Sequence, residues 1–324
     1  MSEPARRHRL DGLEPDNLLA FLALLGLLRA LEHRHPEWRP RAYWDIDRPP
    51  LRPVLMLSEP CEKRAIAEAA AKGIARLADL YTFPAESQGA AQTDLNYSDR
   101  FARCLLKKIA GQQNRDAADL WAALMCDQAA RDGRIEATPM CLLFGQGHQH
   151  FLARLSEVPR MAAPPLRGRG KNVIELSADD TIEQAVFQPW RREDPTPGFR
   201  WDPAEDVRYA LRANNPSDEK STTQHGANRL AVLGLPVFTV TPEQRGDRVR
   251  LRVVGARFGR DFTVAWPIWR DPASLAAIRA LLSHPDLASG KLDDLAHLGV
   301  IQIRRADRIG VGKFMNFTRA DVVG

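Results

Sequence analysis

The chain reads as an α+β protein, with a helix-rich N-terminal and middle part followed by a C-terminal part containing antiparallel strands. Three observations lead there. Residues 17–131 hold several segments with apolar side chains at helical spacing, residues 237–269 alternate as strands do, and a Pro-, Gly- and Arg-rich stretch over 159–205 lies between them. The expected organisation is a mainly helical domain with a small β element over 1–158, a connection over 159–205 that is either a domain boundary or a long ordered excursion, and an α+β domain with basic strands over 206–324.

Taken in order, NLLAFLALLGLLRALE (17–32) is apolar around nearly its whole circumference, with Asp16 or Asn17 placed to cap it, so Leu24 and Leu27 are expected in the core. Prolines from Pro36 to Pro53 stop that helix and frame two short strands, at 42–46 and 54–57. Helices are expected over 62–80, 97–110 and 116–131, the last presenting Leu120, Trp121, Leu124 and Met125 on one face. An apolar run from residue 139 reaches Gly145-Gln146-Gly147, after which a new helix starts. Beyond the connection, strands are expected at 237–242, 248–257 and 261–269, a helix at 275–282 and a final hairpin over 302–317.

Composition narrows the function. The 44% hydrophobic and 27% charged residues are ordinary for a globular protein and exclude a disordered one. Net charge is +5, delivered mostly as Arg, which fits bidentate contacts to phosphate and base edges and equally fits a high-GC coding bias. Cys61, Cys104, Cys126 and Cys141 match no zinc or redox spacing and read as reduced thiols of a cytoplasmic protein. Arg6-Arg7-His8-Arg9 before Leu18–Leu28 imitates a signal peptide, but Asp11, Glu14 and Asp16 interrupt it, and no membrane segment is expected.

No phosphate loop, nucleophile elbow or H-E-x-x-H pattern is present. His148 and His150 are spaced wrongly for one helical face, and neither a metal site nor a cofactor is expected there. The turn containing Gln146, His148 and Gln149 suits an anion at a helix start, or a plain loop. Three basic clusters remain. Arg167, Arg169 and Lys171 lie on a Gly-rich segment, Arg248, Arg250 and Arg252 recur at period two, and Arg304, Arg305, Arg308 and Lys313 close the chain. The period-two row places like charges on one strand face, which costs stability unless an anion or carboxylates answer it; a solvated edge is the alternative. Between two apolar segments, 208–238 concentrates Arg212, Asn214, Lys220, Thr223, Gln224, Asn228 and Arg229, residue types that read base edges and hold phosphates, or that form the turns of a surface loop.

Three phrases carry a resemblance. LDGLEPDNLLAFLALLGLLRALE (10–32) with the downstream PRAYW (40–44), LFGQGHQHFL (143–152), and RYALRANNPS with TTQHGANRLAVLGLPVF (208–238) look like CRISPR-associated proteins of the type I-G (formerly I-U) group, which supply a large-subunit-type component of a Cascade effector. The match is one of phrases and their order. It implies a non-enzymatic subunit of an antiviral complex that binds guide RNA and target DNA, recognises the target-adjacent motif, contacts other Cascade subunits and recruits a separate helicase-nuclease. Two readings compete with it: a metal-dependent nuclease using His148, His150 and a distant carboxylate such as Asp206, and a basic scaffold binding only protein.

Overall fold

Helix α1 (Leu18–Arg34) has no polar face, and every residue from Leu18 to Leu31 is buried. The computed structural model describes residues 4–86, 91–143, 150–166, 175–205, 222–259, 261–311 and 314–324. Asn17 caps α1, its Oδ1 accepting from the Leu19 and Ala20 amides at 2.9 and 3.4 Å. A helix apolar on all sides has to be enclosed on all sides. Here α2 (Lys63–Leu77) covers one flank and α7 (His225–Gly234) another. The contact with α7 is the most intimate in the protein. A Cβ at Gly26 would overlap the Leu230 carbonyl, and one at Gly234 would overlap that of Leu22, so the two backbones touch where both helices lack side chains.

The N-terminal sheet is antiparallel in the order β1 (Ala5–Arg9), β3 (Arg52–Cys61), β2 (Arg41–Asp45). β2 and β3 match the expected strands, whereas β1 lies in the basic run that imitated a signal peptide. Its alternation is masked because Arg9, next to the buried His8, is itself largely buried, its charge answered by Asp11 and Asp45 at 2.9 Å each.

In the middle part, α3 (Asp99–Gly111) forms as expected, but α4 (Arg115–Leu124) stops short of Arg131. The chain turns into a hairpin of β4 (Ala130–Arg131) and β5 (Arg134–Ile135), with Asp132 and Gly133 at φ 52° and 73°. An Asp-Gly pair at two positive-φ positions is the strongest short-range hairpin signal, and it overrides the helical spacing read across it. α5 (Phe151–Arg160) follows. α6 (Ala178–Phe187) then forms inside the stretch read as a connection, started by a reciprocal cap between Ser177 and Asp180.

The C-terminal part is antiparallel. β6 (Val240–Arg245) pairs with β7 (Arg248–Val253), and a larger sheet runs β11 (Phe314–Phe317), β10 (Val300–Val311), β9 (Phe262–Trp269), β8 (Ala256–Phe258), with β12 (Asp321–Val322) also on β10. α8 (Leu275–Ser283) packs behind it. The expected α+β class holds, but the segment 159–205 does not separate two cores. One cluster of buried apolar side chains includes Leu24, Phe151, Ile182, Leu230 and Trp266. β9 reaches into it: Trp266 stacks on Phe21 at 5.5 Å, and Trp269 Nε1 donates to the Ala42 carbonyl at 2.7 Å, tying the two sheets together around α1. Among the described residues no helix is long and apolar enough to cross a membrane.

The backbone contact between α1 and α7 makes a direct prediction. Gly26→Ala forces the helices apart and costs about 1–3 kcal/mol or more, whereas Gly111→Ala, whose Cβ would meet nothing within 4 Å, is neutral or stabilising by up to about 1 kcal/mol. Denaturant midpoints at constant m-value measure both.

Candidate nucleic-acid interface

The β6–β7 hairpin turns at Gly246-Asp247. Gly246, at φ 59°, occupies the first central position, where a two-residue turn of this kind favours glycine. Register then fixes the faces: Arg245 lies opposite Arg248, Glu243 opposite Arg250, and Thr241 opposite Arg252. Leu251 and Val253 occupy the alternate positions and are buried. The core therefore takes one side of β7, and the arginine row takes the other. Because the strand period is two, all three arginines are expelled together.

Arg248 and Arg250, but not Arg252, line a cleft of about 400 Å³ whose other walls are Arg245, Glu136, Phe258 and Gly259. The Arg245 guanidinium lies over the Phe258 ring at 5.4 Å, and its Nε donates to Glu243 at 2.5 Å. Glu136 accepts from Arg250 Nη1 and from the Leu251 amide, both at 3.2 Å. Arg248 and Arg252 are exposed and have no carboxylate partner among the described residues. Of the two row members in the cleft, Arg250 is thus partly answered within the protein, and Arg248 is the more available to an outside anion. Arg245 and Phe258 were not singled out from the sequence. The QRGDR stretch held the signal, because a two-residue turn there sets Arg245 directly across from Arg248.

The polar phrase near α7 lies elsewhere and is mostly interior. Thr223, Gln224, Asn228 and Arg229 were expected on a loop facing nucleic acid; instead all four are at most 4% exposed. Thr223 exchanges backbone hydrogen bonds with Asp194 at 2.8 and 3.1 Å, and its hydroxyl meets that of Thr196 at 2.8 Å. The Gln224 side chain accepts from the Arg192 amide at 3.2 Å. Asn228 donates to the Gln224 carbonyl at 3.3 Å. Arg229 donates to the carbonyls of Ala162, Pro159 and Ala178 at 3.1–3.5 Å, so the negative end of α5 answers its charge, and burial lowers its pKa to about 10. The reason is local: α7 begins at His225, so 225–229 are helical and packed between α6 and the end of α5 rather than forming a loop. Arg212, Asn214, Lys220, Gln146, His148, Gln149, Arg167, Arg169 and Lys171 lie outside the described residues, as does Asp206.

The segment beneath α7 holds a buried polar network. Asp202 accepts from Asn17 Nδ2 at 3.0 Å and from Arg192 Nε at 2.7 Å. Glu205 accepts from the Arg200 amide at 2.8 Å, and its carboxylate packs so closely under Gly198 that a Cβ there would overlap it. Although part of the residue stays accessible, the enclosed carboxyl group has its pKa pushed up to about 7, first by burial and then by Asp202, against the opposing pull of Arg154 and Arg200. His150 Nδ1 lies 3.0 Å from both Asp94 carboxylate oxygens, and among the described residues no three His, Cys, Asp or Glu side chains are grouped to hold a metal ion.

Comparisons of the chain with protein-family models, with curated proteins and with solved structures found no match.

The Glu205 carboxyl generates a pH prediction. Its folded-state pKa lies above the ordinary carboxylate value, so the folded protein holds this proton more tightly than the unfolded chain does. The associated stability is full below about pH 4.5 and is lost as pH rises through about 7. Glu205→Gln removes that component, and the fall in denaturant midpoint between about pH 5 and about pH 7.5 becomes smaller than in the wild type. An unchanged difference between the two pH values would contradict it.

Proposed function

We propose that this chain is a non-catalytic, nucleic-acid-binding subunit of an RNA-guided effector complex of the CRISPR type I-G group, binding guide RNA or target DNA through the β6–β7 face. The observation that carries the nucleic-acid part is the cleft: Arg245, Arg248 and Arg250 converge on one surface beside an aromatic ring, with Arg248 unanswered by any carboxylate among the described residues. Guanidinium groups beside a ring are what a sugar-phosphate backbone and an adjacent base require. Support for the effector complex comes from the three phrases. Two of them, 10–32 and 222–238, supply α1 and α7, which pack on each other, and the third leads into α5, which packs on α7. Recognition of a target-adjacent motif and recruitment of a helicase-nuclease belong to the same proposal.

The test separates the two parts. Arg248→Gln lowers the slope of log affinity against log salt by about 0.7–0.9, since one phosphate contact releases close to one counterion. Arg250→Gln lowers it less, because Glu136 already holds part of that charge. An affinity indifferent to salt, or no binding to RNA or DNA at all, would overturn the nucleic-acid reading. Purifying the tagged full chain from its native cells and sequencing the RNA that accompanies it tests the complex. Recovery of CRISPR-repeat-derived RNA is expected, and its absence at full expression of the repeat locus would overturn the assignment.

A further inference from the structure

Helix α3 turns Ala102 and Ile109 into the protein, packs Phe101, Leu105 and Leu106 against the core, and leaves Arg100, Arg103, Lys107 and Lys108 exposed. Arg100, Arg103 and Lys107 are three and four residues apart and so form one stripe along the helix, where like charges repel. Arg103 reaches Asp127 at 3.3 Å, but among the described residues no carboxylate pairs with Arg100, Lys107 or Lys108.

The stripe is joined to the arginine cleft through a single hairpin. Asp127, which Arg103 touches, precedes β4. Arg131 and Arg134 face each other across the β4–β5 hairpin, both exposed, with Asp132 and Glu86 as their ion-pair partners at 3.4 and 3.1 Å. Arg134 bridges through its backbone to Ser98, the cap of α3, and the Asp99 amide donates to the Gly133 carbonyl at 3.1 Å. Two residues past Arg134, just beyond the end of β5, Glu136 holds Arg250 in the cleft. Cleft, hairpin and stripe are therefore consecutive stations on one connected surface.

We infer that the α3 stripe is a second nucleic-acid contact, continuous with the cleft, that carries the backbone of the same polynucleotide beyond the segment held at β6–β7. The inference rests on the nucleic-acid reading of that cleft. A convex helix surface bearing Lys and Arg without an exposed ring offers phosphates charge and offers bases nothing to stack on, so its contact is with backbone. A membrane surface is a poorer fit, because the apolar side of α3 is turned into the protein. The exposed ion pairs of Arg103, Arg131 and Arg134 are weak and exchange readily for phosphate.

The experiment uses the full chain and two oligothymidylates, of roughly 6 and roughly 24 nucleotides, one near the lower end of the usual site sizes for single strands and one beyond their upper end. In the triple variant Arg100→Gln, Lys107→Gln, Lys108→Gln, the salt slope for the long oligonucleotide becomes shallower by about 2, three single-strand contacts at about 0.7 each, while binding of the short one is unchanged. An unaltered melting curve of the variant establishes that the fold is intact. If wild type binds both oligonucleotides and the variant changes neither, or changes both alike, the stripe belongs to an acidic protein partner or to solvent; the inference then falls while the cleft reading stands. If wild type binds neither with salt-dependent affinity, the cleft reading falls and takes this one with it.

Discussion

The contact between α1 and α7 is the constraint on which the remaining structure depends. A 17-residue helix without a polar face is a liability in water until it is enclosed, and close approach of backbones encloses it most completely. Gly26 and Gly234 permit that approach by leaving no side chain between the helices. With α7 pressed onto one side, the remaining circumference of α1 is taken by α2 and by the aromatic side chains of β9. Residues far apart in sequence are thereby drawn into one core, and the polar ends of both helices have to find partners inside it.

Those polar ends explain the interior network. Asn17 at the start of α1 and Gln224 at the start of α7 are both buried, and each meets the segment 190–205, through Asp202 and the Arg192 amide respectively. Buried polar groups are costly unless satisfied, and here much of the satisfaction is reciprocal between helix starts and one loop. Arg229 follows the same logic in another form, its charge answered by two carbonyls where α5 ends and one where α6 begins. Glu205, enclosed under Gly198, is the least comfortable member, and its raised pKa records the conflict between burial and the nearby guanidinium groups.

Residues inside that network hold the protein together, and the residues free to meet a ligand lie on the opposite side of a different logic. β7 buries Leu251 and Val253 and in doing so pushes Arg248, Arg250 and Arg252 outward as a set. A hairpin with a two-residue turn then adds Arg245, and the end of β8 adds Phe258. The cleft is thus assembled as a consequence of packing the far face of the same strand, which is why the charge is concentrated there and not dispersed.

What the sequence alone determined is whatever depends on local periodicity and capping: the fully buried α1 with a cap at Asp16 or Asn17, most helices and strands, the α+β class, and the common face of Arg248, Arg250 and Arg252. Each follows from spacing along a few turns or strand residues. The Asp132-Gly133 hairpin was equally local, and its turn chemistry outweighed the helical spacing around it. Only the tertiary structure decided which polar residues are surface and which are interior. Asn228 and Arg229 have the chemistry of a contact loop, yet α7 places them against α6 and the end of α5, because burial of a polar side chain depends on partners supplied by distant segments. Tertiary packing also decided that 159–205 joins one core rather than dividing two, and that Glu136 meets Arg250. Composition records which groups a chain carries, whereas their enclosure is set by what α1 draws around itself.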